Sequence, residues 1–420
     1  MDDQSKDRSP IVEEQGCPQP APPKFPEGGL RAWLVVLGAW CVSFSSFGYL
    51  NGYGVYQDYY TKHLLAGEAS STIAWIGSVQ VFFLFAGGIV GGPLFDRFGA
   101  VILYLPCMLS VLSVMLTSLC TKYYQLMLAQ AILGGIANGT VFAPSMACVG
   151  HYFHARRAAA LGVTVSGSSL GGVLFPIAIS RMLRNPSLGF AWTVRIMGFL
   201  ILVLLSIACV AIKGRLPPRA GKILLPRAFL HLPYTLITFS IFFMMWGMFT
   251  PFFYLPQYAQ LHGMSSNLSS YVLSVLNAAS FFGRVLPGFL ADKIGRFNTL
   301  CVEGIVTGIL LLCWPACKSN ASILAFGALY GLFSGGIVSL MSPCIAQVTP
   351  DPRNMGTYLG MGMTIVAVAG LTGSPITGAL IENSGSYTSA AVFCGVVVLF
   401  GVVLTFIAKI RLDKKLFARV

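Results

Sequence analysis

The sequence predicts an all-α integral membrane protein of about twelve transmembrane helices, arranged as two pseudo-symmetric six-helix bundles. Three observations lead there. Of 420 residues, 55% are hydrophobic and 10% charged, and the mean hydropathy is +0.75; helices of a soluble domain need a polar face toward water and cannot be this apolar. The apolar residues fall into runs of roughly 20, the length that carries a helix across about 30 Å of hydrocarbon. Finally, one short charged pattern occurs twice, as Gly92-Pro-Leu-Phe-Asp-Arg-Phe-Gly99 and as Gly288-Phe-Leu-Ala-Asp-Lys-Ile-Gly-Arg296. Its aspartates, Asp96 and Asp292, stand 196 residues apart (292 − 96). In a chain of this length such a repeat marks two similar halves.

Taken in order, residues 1–30 are polar and Pro-rich with no apolar leader, and are expected as a disordered cytosolic tail. Residues 31–212 hold six spans, at about 31–53, 72–95, 101–119, 124–146, 157–179 and 192–212. The basic stretch 213–232 reads as a cytosolic linker held at the membrane surface by its charge. Residues 233–410 hold six more, at about 234–258, 268–291, 298–317, 322–346, 356–381 and 387–409, before a cytosolic tail at 411–420. Asn267-Leu-Ser and Asn320-Ala-Ser are glycosylation sequons in expected outer loops.

The net charge of +13 follows topology rather than a nucleic-acid surface. With both termini cytosolic, 20 of the 27 Lys and Arg fall on cytosolic segments, 6 on outer ones, and Arg284 inside a span. No basic surface interleaved with aromatics suits nucleic acid. The eleven cysteines lack metal or disulfide spacing. There are no paired carboxylates, nucleophile motif or phosphate loop, so neither an enzyme, a cofactor nor a metal site is expected. His151 and His154 read as surface residues.

Two groups of residues carry function. In the repeated turns, Asp96 and Asp292 are placed to meet the positive N-terminus of a neighbouring helix, and Arg97, Lys293 and Arg296 to pair across the cytosolic gap; these are the expected gate. Within the spans, Arg284 is a charge at mid-helix, which costs about 2.5–3.5 kcal/mol on insertion scales. A substrate anion, structural hydrogen bonds or Glu303 could each offset that cost. Asn277 lies seven residues earlier, two turns along the same helix face. Asn51, Asn138, Tyr254 and Ser280 complete the candidate substrate-binding set, each with interhelical hydrogen bonding as its plain alternative.

The repeated Gly-x-Leu-x-Asp-(Arg/Lys)-x-Gly turn resembles the signature of the major facilitator superfamily, which implies alternating access around a central cavity. Glu27-Gly-Gly-Leu-Arg-Ala-Trp33 and Tyr152-Phe-His-Ala-Arg-Arg-Ala-Ala-Ala-Leu-Gly162 are similar to two motifs of the monocarboxylate porter family, in its fungal branch. That resemblance implies that Arg284 is a substrate-pairing arginine. It also implies a proton-coupling aspartate four residues earlier and a lysine near the outer end of span one, where this chain has Ser280 and Asn51.

The expected function is therefore secondary or facilitative transport of a small organic solute, a carboxylate or other organic anion first and export of a fungal secondary metabolite second. A non-transporting nutrient receptor is the reading from another class. The expected partners are that small-molecule substrate, protons and the lipid bilayer. The chain is expected to work as a monomer, in the plasma membrane before the vacuolar one.

Overall fold

The computed structural model describes residues 25–217 and 224–413. Most of the expected tails, the middle of the linker and the side chain of Asn267 lie outside the described residues. Among those residues the secondary structure is entirely helical. Eleven continuous stretches are long and apolar enough to cross a membrane.

One of them, Thr72–Thr117, has 46 residues. At 1.5 Å per residue it is about 69 Å long, more than twice the hydrocarbon thickness. It folds back at Gly99, where φ is +72° and a short 3₁₀ turn, Gly99–Leu103, begins. Glycine supplies that left-handed backbone without a Cβ clash. Register confirms the reversal: Gly135 and Ala143 lie beside Gln80 and Gly88, running parallel, whereas Gly134 and Asn138 lie beside Ser113 and Ser110, running antiparallel. The chain thus makes twelve passes: α1 Leu30–Leu64, α2 72–98, α3 99–117, α4 Tyr123–Gly150, α5 Arg157–Leu183, α6 Gly189–Ala211, α7 Leu232–Leu261, α8 Ser266–Ile294, α9 Arg296–Ala316, α10 Asn320–Gln347, α11 Pro352–Ser384 and α12 Tyr387–Leu412.

The first six helices pack on one another, as do the last six. The two bundles meet along two seams, α5 against α8 and α2 against α11. Both seams are built from small residues. At α2–α11, Gly92 faces Gly356 and Gly88 faces Gly360; at α5–α8, Gly162 and Gly288 face Arg284 and Ala158. Small residues let backbones approach closely where lipid gives no hydrophobic drive between helices. The outward side chains are large and apolar, such as Leu105, Met108, Phe199 and Val203.

Three helices carry irregular turns that no periodicity announces. α1 contains wide π turns at Phe44–Gly48 and Tyr60–Leu64, so it continues well past the expected end near residue 53, and α4 contains one at Met127–Leu133. α7 breaks between Met248 and Thr250, ahead of Pro251. Phe252 N–H turns to the Phe249 carbonyl (3.1 Å), and the released Met248 carbonyl accepts from the Tyr330 hydroxyl. The repeated turns, Glu27, Arg157 and Arg215 gather at one end of the molecule, the basic end.

Candidate functional site

At the basic end the two repeated aspartates make reciprocal contacts. Asp96, 5% exposed, accepts from the backbone N–H of Gly356 (3.0 Å) and Thr357 (2.6 Å) and from the Thr357 hydroxyl (2.7 Å). Asp292 accepts from the N–H of Ala158 (3.0 Å) and Ala159 (2.8 Å). Each half's aspartate therefore caps the fifth helix of the other half. The first N–H groups of a helix have no partner within it and carry partial positive charge, so a carboxylate suits them on both counts.

The basic residues of the turns divide. Arg296 donates to the His154 carbonyl (2.6 Å) and to Gln347 Oε1 (3.3 Å), and pairs with Asp292 (3.5 Å). Arg97 is exposed, its guanidinium 5.5 Å from the Phe98 ring, and Lys293 is exposed. Arg296 thus makes the contact across the seam that was expected of the residues following each aspartate. A cavity of about 450 Å³ lies there, lined by Arg157, Asp292, Arg296, Gln347 and Met355.

Glu27 joins this end in a way the sequence did not foretell. Its carboxylate accepts from the N–H groups of His154 (2.8 Å), Ala155 (2.8 Å) and Arg156 (3.1 Å). Partial burial alone would raise its pKa; the three backbone donors outweigh this and hold it below the usual carboxylate range. His154 is exposed, as expected. His151 is buried against Phe95, and its expected surface position is corrected. Burial, with Arg157 and Arg215 nearby, pushes its pKa down to about 4.

At mid-membrane, Arg284 is 1% exposed and reaches across the α5–α8 seam. Its Nη1 donates to the Val165 carbonyl (3.1 Å) and the Ser168 hydroxyl, its guanidinium lies 6.0 Å from the Phe47 ring, and its Nε has no partner. Ser280, one turn away, accepts from Ser169 of the opposite helix (3.3 Å). Two turns from Arg284, Asn277 donates to the Leu273 carbonyl (3.0 Å), while its Oδ1 is buried without a partner. Asn51 donates to the Ser168 carbonyl (3.4 Å). Asn51 and Asn277 both close on Gly172: a Cβ there would lie 2.9 Å from Asn51 Nδ2 and 2.8 Å from Asn277 Oδ1. Arg284, Ser280, Asn277 and Asn51 thus form one polar line along the seam.

Beside this line runs an aromatic wall. Phe47 and Phe249 meet across the bundles (6.5 Å between ring centres), and Phe252, Tyr330 and Phe326 continue it. The other two candidates lie apart. Asn138 accepts from Ser110 inside the first bundle (3.1 Å), and Tyr254 donates to the Ser374 carbonyl inside the second (3.2 Å). Asn320 opens α10. Sequence reasoning missed Phe47 and Ser168 as wall and seam residues. The π turn that orients Phe47 and the backbone carbonyls that hold Arg284 leave no signature in residue type.

Comparisons with known proteins agree with this architecture. The profile of the Major Facilitator Superfamily matches residues 33–318. The chain is 51% identical to the aspyridones efflux protein apdF of Emericella nidulans, over 96% of this chain and 82% of that one. It is 38% identical to the agnestins efflux protein AgnL12 of Paecilomyces divaricatus, over 93% and 90%. Its fold is similar to that of the human organic anion transporter MFSD10, with a TM-score of 0.69 at 18% identity, covering 90% of this chain and all of that one. With two bundles joined at reciprocal caps and a profile spanning most of its length, the chain belongs to the major facilitator superfamily of membrane transporters.

Proposed function

We propose that this transporter exports a small organic metabolite by alternating access, with the basic end facing the cytosol. The observation that carries this is the 51% identity, over 96% of the chain, to a protein named for efflux of a fungal metabolite. The sequence alone put an organic anion first and export second; the relatives reverse that order. Substrate sits along the polar line of Arg284, Ser280, Asn277 and Asn51, against the wall begun by Phe47 and Phe249. A broad aromatic face with few polar groups suits a mostly apolar molecule bearing a few donors and acceptors.

The caps made by Asp96 and Asp292 serve as the gate at the cytosolic end, with Arg296 as its ion pair. They must part for substrate to enter from the cytosol. The fungal plasma membrane is the proposed location and a monomer the proposed unit. A second reading, transport of an organic anion in the manner of monocarboxylate porters, is favoured by the unpartnered Nε of Arg284. Expression in a yeast lacking its own exporters tests both. Retained intracellular aromatic metabolite that falls on expression supports export. Saturable uptake of short carboxylates, without export, would replace it with the second reading.

A further inference from the structure

We infer that Glu303 is a proton-binding site of this transporter, occupied while the basic end is closed. The inference rests on the export reading only for the use made of the proton. Glu303 lies on α9, seven residues from Arg296 and so about 10 Å into the membrane from the basic end. It is 6% exposed, and its Oε2 is buried without a hydrogen-bond partner. Among the described residues it makes no ion pair.

The helices packed against α9 offer it no counter-charge. On α8, Arg284 is turned to α5, and Asp292 and Lys293 lie at the basic end. On α10 the ionisable groups are Tyr330, engaged with Met248, and the buried Cys344. On α12, Tyr387 packs on Trp314, Cys394 contacts Thr250, Arg411 is exposed near the helix end, and the buried Lys409 lies on the side of Cys301 and makes no ion pair with Glu303. On α9 itself Cys301 is a free, half-buried thiol. α7 presents Met244 beside Gly304. A carboxylate without a counter-charge is disfavoured in such surroundings, and the neutral acid is the form that fits.

The site is also shaped for the group. A Cβ on Gly336 of α10 would lie 2.5 Å from Glu303 Cδ and 2.6 Å from Oε2, so the carboxyl occupies the space a side chain would fill. The preceding residue, Gly335, abuts Ser280 on its other side, and Ser280 accepts from Ser169 of the first bundle. Only the thickness of one helix backbone, bare at both glycines, separates the carboxyl from the seam that must part during transport. Opening of the basic end frees the start of α9, where Arg296 is held by His154 and Gln347, and brings water toward Glu303. The proton then passes from the carboxyl oxygen to water, leaving a solvated carboxylate. Proton release on the side where substrate loads is exchange in opposite directions.

The test uses the full chain in lipid nanodiscs without substrate, with protons as the only ligand. A Met355→Cys reporter at the basic-end cavity is labelled with a thiol reagent across a pH series. The wild-type reporter gains at least tenfold in reactivity as pH rises beyond what ionisation of the reporter thiol itself supplies. Glu303→Gln, which mimics the neutral acid, rises only by that thiol ionisation, and Glu303→Asp keeps the larger response. His151 and His154 are common to all variants, so the difference between them isolates Glu303. If Glu303→Gln does not fold, Gly336→Ala, which displaces the carboxyl, shifts the midpoint instead. An unchanged pH response in Glu303→Gln, or in Gly336→Ala where that variant stands in, overturns the inference. A Glu303-dependent response with no export of metabolite would refute the export reading and leave the proton site standing.

Discussion

Gly92→Ala is the sharpest perturbation of the closed basic end. A Cβ at this position would sit 2.0 Å from the Gly356 carbonyl oxygen and 2.6 Å from its carbon. Real Cβ contacts do not fall below 3.0 Å, so α2 and α11 must separate by at least 1.0 Å (3.0 − 2.0). The obstacle is backbone and has no rotamer to change. Asp96 lies one turn further along α2, and its bonds of 3.0, 2.6 and 2.7 Å end on Gly356 and Thr357. A shift of that size stretches all three past useful range. Bonds to a charged acceptor contribute about 1.5–3 kcal/mol each, partly recovered from water once the end opens. A net loss of about 2–4 kcal/mol raises the open-to-closed ratio about 30- to 700-fold. Labelling of a Met355→Cys reporter reads that ratio directly. Gly54→Ala, with no atom near its new Cβ, is the control. A folded Gly92→Ala protein labelled at the control rate would refute the idea that Asp96 holds this end shut.

Three further outcomes are expected. Arg284→Ala strips the seam of its bonds to Val165 and Ser168 and lowers stability by about 2 kcal/mol; Arg284→Lys recovers part of it, because Lys keeps the charge and N–H donors but not the planar guanidinium packed beside Phe47. Thermal melting in detergent ranks the three proteins, and equal melting of all three would deny Arg284 a structural part. Glu27 has a lowered folded-state pKa, so its stabilisation is complete above its ordinary value of about 4.5 and is lost as pH falls through the lower folded value. Melting followed down to acid pH should lose that part of its slope in Glu27→Gln. Gly172→Ser places atoms where Asn51 and Asn277 meet, and raises the apparent KM for exported substrate about tenfold with surface expression unchanged. An unaltered KM would move the substrate away from this pair.

Legibility in the sequence followed the range of the interaction. Hydrophobic runs set by bilayer thickness placed the spans, and the 196-residue repeat exposed the two halves. Charge and a helix end were enough to foresee that Asp96 and Asp292 would be caps, but not which helix each would cap, since that depends on how the bundles meet. Arg284 stood out as a buried cation. Its partners did not, because a carbonyl such as that of Val165 exists at every residue. Glu27 was visible only as part of a motif; its three N–H donors belong to a loop more than 120 residues away. The buried His151 was missed because neighbouring arginines suggested solvent, whereas Phe95 closes over it.

The exchange of caps between halves also bears on synthesis. The N–H groups of Ala158 and Ala159 wait for Asp292, which follows Ala159 by 133 residues (292 − 159). At about 5–20 residues per second, that is roughly 7–27 s in which the first half is in the membrane with the start of α5 uncapped. Glu27 precedes that loop and covers its neighbours His154, Ala155 and Arg156 from the outset. A ribosome stalled before α7 would therefore leave a six-helix fragment with a defined unmet bond at one helix end, a chemical mark by which quality control could tell a half-made chain from a finished one.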